Sequence, residues 1–171
     1  VARRAHAFGM RCIAVTRGSK PTPAPLDWLA DMSALERLLA ESDYVLIALP
    51  LAEDTEGLIN GGSFSRMKPG GVIINVGRGL IIDEQALYAA LVGRSIGGAI
   101  IDVWYNYPDG DGQEPPPSKF PFHELDNIIM TPHFSAYTEA MRERRWASIA
   151  ANVDRLARGE ALQNICFEGS G

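Results

Sequence analysis

"VIINVGRGLIIDEQAL", residues 72–87, decides how the chain folds. Val72, Ile73 and Ile74 form a short apolar run bounded by Gly70-Gly71, which reads as a buried strand. The run passes through Asn75 and Val76 into Gly77-Arg78-Gly79, and a segment opening with Asp83 and Glu84 follows, acids that suit the first turn of a helix. Strand, tight turn and helix make one unit of an α/β chain. That unit leaves one long cation, Arg78, between two glycines where the strand ends.

Outward from this stretch the same alternation repeats. "VARRAHAF" has helical character and stops at Gly9, "RCIAVT" reads as a strand, and a Pro-rich loop follows. "MSALERLLAES" spaces Leu35, Leu38 and Leu39 on one helical face, with Ser33 placed to cap its start. "YVLIALP" is a strand, "GGSFSRMKPG" a short helix broken by Pro69, "DEQALYAALVGR" a helix, "GGAIIDV" and "NIIMT" strands, and "YTEAMRERRWASIAANVDRLARGE" a long last helix. Strands apolar on both faces and separated by helices predict a parallel sheet covered on each side by right-handed crossovers. The fold class is therefore a doubly wound α/β domain, with residues 1–171 forming one domain. The irregular stretch from Tyr105 to Leu125, rich in Pro, Gly and acids, is long for a loop inside a compact domain and reads as functional.

Composition narrows the partner. With 171 residues, 46% apolar, 22% charged and a net charge of −5, the chain has the makings of a sizeable core and no basic surface to recruit phosphate backbones or anionic membranes. A small-molecule partner follows, with no nucleic acid and no membrane. Cys12 and Cys166 lie far apart without metal-ligand spacing, which suggests neither a disulfide framework nor a metal site and fits a reducing cytoplasm.

In doubly wound sheets, ligands bind at the carboxyl ends of the strands. Thr16 and Arg17 follow the first strand, Pro50 and Leu51 the next, Gly77-Arg78-Gly79 the next; Asp102 ends another, and Thr131-Pro132-His133 the last. An arginine, a carboxylate and a histidine thus come to one edge. Singly, each has a plainer reading: a solvated loop charge, a turn cap, a structural histidine. Together they outline a ligand site, where the guanidinium offers a planar fork to a carboxylate and His133 a proton near neutral pH. The flanking glycines would let a ligand approach the backbone closely.

The linked motifs "ALPLAEDTEGLIN", "MKPGGVIINVGRGLIIDEQALYAAL", "GGAIIDVW" and "NIIMTPHFSAYT" resemble the cofactor-binding domain of the D-isomer-specific 2-hydroxyacid dehydrogenases. The resemblance covers nearly the whole chain. It implies an oxidoreductase moving a hydride between a nicotinamide and a 2-oxo or 2-hydroxy acid, and a homodimer in the complete enzyme. It further implies that Arg78 binds the substrate carboxylate and carbonyl oxygen, that His133 exchanges a proton with the substrate oxygen, and that Asp102 holds the nicotinamide carboxamide. Cofactor contacts are expected from Thr16, Arg17, Pro50, Leu51, Thr55, Val76, Gly77, Asp102, His133 and Ser135.

Two departures stand out. The family's glycine-rich fingerprint, the strand before it and the substrate domain are not found, so the chain reads as an N-terminally truncated dinucleotide-binding domain, expected by itself to bind dinucleotide weakly and turn over no 2-oxo acid. The family glutamate that follows the strand-end aspartate by five residues is Tyr107 here. A glutamine stands there in formate dehydrogenases of the same family. Tyr107 either contacts His133 or merely packs in the irregular loop, with Glu114 and Glu124 as the alternative acids. After the first strand, Thr16, Arg17, Ser19 and Lys20 replace the acid that would pair with the ribose of NAD, which favours NADP while leaving NAD open. Some relatives of this domain are dinucleotide-sensing corepressors and adenosylhomocysteine hydrolases carry a similar NAD domain, so a sensing protein or an inactive remnant are the alternatives to an enzyme.

Overall fold

The computed structural model describes residues 1–18, 20–108 and 115–166, in two compact units, Val1–His133 and Phe134–Gly171. Ser19 and Glu114 lie outside the described residues. The first unit opens with helix α1 (Ala2–Ala7), which ends before Gly9 in the left-handed region at φ 76°. Strands β1 (Ile13–Val15) and β2 (Trp28–Ala30) pair in parallel. Helix α2 (Leu35–Glu41) buries Leu38 and Leu39. Then come β3 (Tyr44–Ile47), α3 (Gly61–Arg66), β4 (Val72–Asn75), α4 (Glu84–Val92), β5 (Gly98–Ile101) and β6 (Ile128–Met130).

β3, β4, β5 and β6 form a four-stranded sheet in that order, every pair parallel. Each crossover advances one strand in the same direction. Right-handed connections of that kind put their helices on one face, and α3 does pack on both α2 and α4. Ile47, Ile73, Ile101, Leu87 and Leu91 meet in the core between sheet and helices. The result is the Rossmann-like parallel α/β architecture that the strand–helix alternation predicts.

Three local expectations are corrected. The Pro-rich loop contains β2, whose approach is fixed by the Asp27 carboxylate accepting the Cys12 backbone N–H at 2.7 Å. Ser33 does not cap α2: it lies in the 3-10 turn Met32–Ala34 before that helix, and the turn is capped by Asp31, whose carboxylate accepts from the hydroxyl and the backbone N–H of Ser33, bonds that lower its pKa. β3 is not apolar-buried on both faces, since Tyr44 and Leu46 are exposed. They line a cleft of about 1020 Å³ bordered by Ile13–Val15 on one side and residues 43–49 on the other.

The second half of the irregular stretch is packed down. Phe120 stacks on Tyr88 of α4 with centroids 4.9 Å apart, Phe122 is buried, and Glu84 accepts from the Ser118 hydroxyl at 2.7 Å. Glu124 ends the short turn Phe122–Glu124. In the second unit, helix α5 (Glu139–Ala157) is capped by the Thr138 hydroxyl, and the chain beyond it docks back through Asn152, which exchanges two hydrogen bonds with the Gln163 backbone. Among the described residues no helix is long and apolar enough to cross a membrane.

Candidate active site

The turn after β4 is built around a buried amide. Asn75 is 1% exposed; its Oδ1 accepts the Gly77 N–H at 3.0 Å and its Nδ2 donates to the Arg78 carbonyl at 2.9 Å. Every polar atom of this side chain is thereby used to shape the two peptides that present Arg78. The guanidinium is exposed and donates from Nη1 to the Gly77 carbonyl at 2.7 Å, which aims it along the turn.

The glycines beside Arg78 serve the chain itself. A Cβ on Gly77 would stand 2.7 Å from the Leu49 carbonyl oxygen, and one on Gly79 would collide with the Trp104 carbonyl. Glycine here lets neighbouring strand ends approach, a reason different from the ligand access read from the sequence.

β5 ends at Asp102, which is 2% exposed and accepts the Thr131 hydroxyl at 2.6 Å. Trp104 crosses to the same place: its indole N–H donates to the Thr131 carbonyl at 2.9 Å. These bonds tie the end of β5 to the end of β6, where His133 stands at φ 56°, a region that non-glycine residues seldom adopt. The Tyr107 hydroxyl lies 3.1 Å from His133 Nδ1 and accepts the Trp104 backbone N–H at 3.0 Å. Tyr105, next to this network, is largely buried; burial pushes its phenol pKa up, with the charges of Glu84 and Asp83 adding, so it stays protonated.

A cleft of about 500 Å³ opens at the carboxyl ends of β3 and β4, lined by Ala48, Leu49, Pro50, Leu51, Val76, Gly77 and Arg78. The cleft combines apolar side chains with backbone polar groups and has the Arg78 cation at one end. Thr55 is buried beneath the cleft's rim, where its hydroxyl donates to the Pro50 carbonyl at 2.9 Å and accepts the Ala52 N–H at 2.8 Å, closing the turn after β3. Thr16 extends the β1–β2 pairing through its N–H to Ala30, and Arg17 pairs with Asp54 at 2.5 Å. Ser135 belongs to the second unit. The structure thus brings Tyr107 and His133 into contact and sets Arg78, Asp102 and His133 after three adjacent strands. Asn75 and Trp104 are the supporting residues that sequence reading missed. An amide inside an otherwise apolar strand was the available signal for Asn75.

Comparisons with known proteins identify the domain. Residues 1–135 match the D-isomer specific 2-hydroxyacid dehydrogenase NAD binding domain. A glyoxylate reductase of Korarchaeum cryptofilum is 34% identical over 168 residues, covering 96% of this chain and 47% of that protein. Among solved structures, a D-isomer specific 2-hydroxyacid dehydrogenase family protein of Aeromonas salmonicida superposes with a TM-score of 0.81 at 32% identity, over 98% of this chain and 51% of that one. An acyclic imino acid reductase solved with NADPH and D-Arg gives 0.80 at 29% identity, over 97% and 49%. The chain spans about half the length of these relatives. It belongs to the D-isomer-specific 2-hydroxyacid dehydrogenases and carries their NAD-binding domain.

Proposed function

We propose that this chain is the cofactor-holding part of an NAD(P)-dependent dehydrogenase that interconverts a small 2-oxo acid and its 2-hydroxy acid, with residues 1–171 acting as one dinucleotide-binding domain. The observation that carries the reading is the succession of Arg78, Asp102 and His133 after β4, β5 and β6, three neighbouring parallel strands. When bound, a nicotinamide supplies the hydride to the carbonyl carbon. Arg78 pairs with the substrate carboxylate through the guanidinium edge left by its bond to Gly77. Asp102 holds the carboxamide end of the ring. His133 gives a proton to the substrate oxygen as that oxygen gains the carbonyl electron pair, and takes it back in the oxidative direction.

The glyoxylate reductase among the relatives makes glyoxylate the first probe. Oxidation of NADH or NADPH by the protein is expected to depend on added 2-oxo acid and to be lost in Arg78→Ala. Dinucleotide binding without turnover of glyoxylate, pyruvate or hydroxypyruvate would replace the enzyme with a sensing role. A homodimer is part of the same proposal; it is supported by α5, which exposes Trp146, Ile149, Val153 and Leu156 at helical spacing along one face. A reducing cytoplasm suits the free thiols of Cys12 and Cys166.

A further inference from the structure

We infer that Tyr107 is a positioning residue that holds neutral His133 as the Nε2–H tautomer, an inference that rests on His133 being the proton-carrying group. The direction of the hydrogen bonds decides it. The Trp104 backbone N–H can only donate, so its 3.0 Å contact occupies an acceptor position on the Tyr107 oxygen. A phenol that accepts such a bond becomes a better donor, and among the described residues His133 Nδ1, at 3.1 Å, is placed to take its proton. With Nδ1 accepting, the ring proton resides on Nε2.

Both ends of this contact are held by one network. Trp104 is pinned through its indole to the Thr131 carbonyl, and Thr131 is pinned through its hydroxyl to Asp102, so the anchor of Tyr107 and the backbone leading to His133 are tied together. The two rings meet at 54° with centroids 5.6 Å apart, and the contact engages Nδ1 and not Nε2.

A carboxylate at position 107 would impose the opposite tautomer. It has no proton to give and would require Nδ1–H. The phenol serves both states of the imidazole. When His133 is protonated, Nδ1–H donates to the Tyr107 oxygen while the hydroxyl proton turns aside. On transfer, the Nε2–H bond breaks, the substrate O–H bond forms and the Nδ1 proton stays. That leaves neutral His133 with its proton on Nδ1 and a bare Nε2, the form that takes the proton back in the oxidative direction; with no substrate oxygen beside it, the ring returns to the Nε2–H form, to whose Nδ1 the phenol donates.

The test is ¹⁵N NMR of the histidine rings in the full chain at a pH where they are neutral, with His133→Gln identifying the signal. The wild type is expected to show an unprotonated Nδ1 and a protonated Nε2. Tyr107→Glu is expected to invert the pattern, and Tyr107→Phe to give a mixture of tautomers. A wild type with its proton on Nδ1 overturns the inference whether or not the variants fold, as does a pattern unchanged in Tyr107→Glu. The readout needs no turnover, so it stands or falls apart from the enzymatic reading, which a cofactor-oxidation assay of the same proteins decides.

Discussion

The buried Asn75 side chain donates to the carbonyl of Arg78, so the residue proposed to meet the substrate is shaped from inside the core. Removing that amide strands the Gly77 N–H, while the Arg78 carbonyl keeps only the Ile81 N–H at 3.3 Å. A buried polar group left unpaired costs about 1–3 kcal/mol, so Asn75→Ala is expected to lower the urea midpoint by an amount equal to about 1–3 kcal/mol. Asn75→Asp keeps the acceptor for Gly77 but loses the donor to Arg78, and should be destabilised as well. Equilibrium unfolding of the three proteins decides this; an unshifted midpoint in Asn75→Ala would show that the turn holds itself.

Arg78 itself distinguishes geometry from charge. Its Nη1 is engaged with the Gly77 carbonyl, and a lysine cannot hold that bond while presenting two parallel donors to a carboxylate. In the full-length form Arg78→Lys is therefore expected to impair kcat/KM nearly as much as Arg78→Ala. Each charge-assisted bond lost is worth roughly 1.5–3 kcal/mol, or about one to two decades in rate if made in the transition state. A lysine variant with near-normal efficiency would remove Arg78 from substrate binding.

Most strands and helices were legible because each apolar run is bounded by glycine, proline or a capping acid. β2 was not: Trp28–Ala30 is too short to show a period and is held by pairing with β1 and by Asp27, partners distant in sequence. Arg78, Asp102, Tyr107 and His133 could be picked out because they follow strands within ordered motifs. The role of Trp104 could not, since it acts through a backbone N–H and an indole that reach Tyr107 and Thr131, and no local pattern reports such reach. The contact between Tyr107 and His133 joins positions separated by 26 residues and needed the fold to be seen.

Acid should loosen the β1–β2 pair through Glu41. This carboxylate accepts from Arg37 and Arg11 and from the Trp28 indole, and these bonds, Arg37 first, bring its pKa from an ordinary 4.5 to about 2. A carboxylate whose folded pKa is depressed contributes stability that is complete above its ordinary value and is lost as pH falls toward the folded one. Trp28, with the Arg37 guanidinium 4.7 Å from its ring, reports the change. Its near-ultraviolet signal is expected to weaken between about pH 4.5 and 2. Glu41→Gln should remove that acid-linked step and lower stability at neutral pH. The same acid slope in wild type and variant would assign the transition to other carboxylates.

Cofactor choice turns on Arg17, whose guanidinium pairs with Asp54 at 2.5 Å while both side chains remain more than half exposed. An exposed ion pair is worth about 0–1 kcal/mol, whereas a charge-assisted bond to a phosphate is worth roughly 1.5–3 kcal/mol, so a ribose 2′-phosphate can take Arg17 from Asp54. Arg17→Ala is then expected to weaken NADPH by about tenfold or more and to leave NADH nearly unchanged. Asp54→Asn releases the guanidinium and should strengthen NADPH by up to about fivefold, the equivalent of the lost pair. Raising salt should narrow the gap between wild type and Asp54→Asn, since screening weakens the exposed pair in the wild type alone. Fluorescence titration with both dinucleotides measures all three effects. Equal losses for NADH and NADPH in Arg17→Ala would place Arg17 on a feature the two cofactors share and would end the preference for NADP.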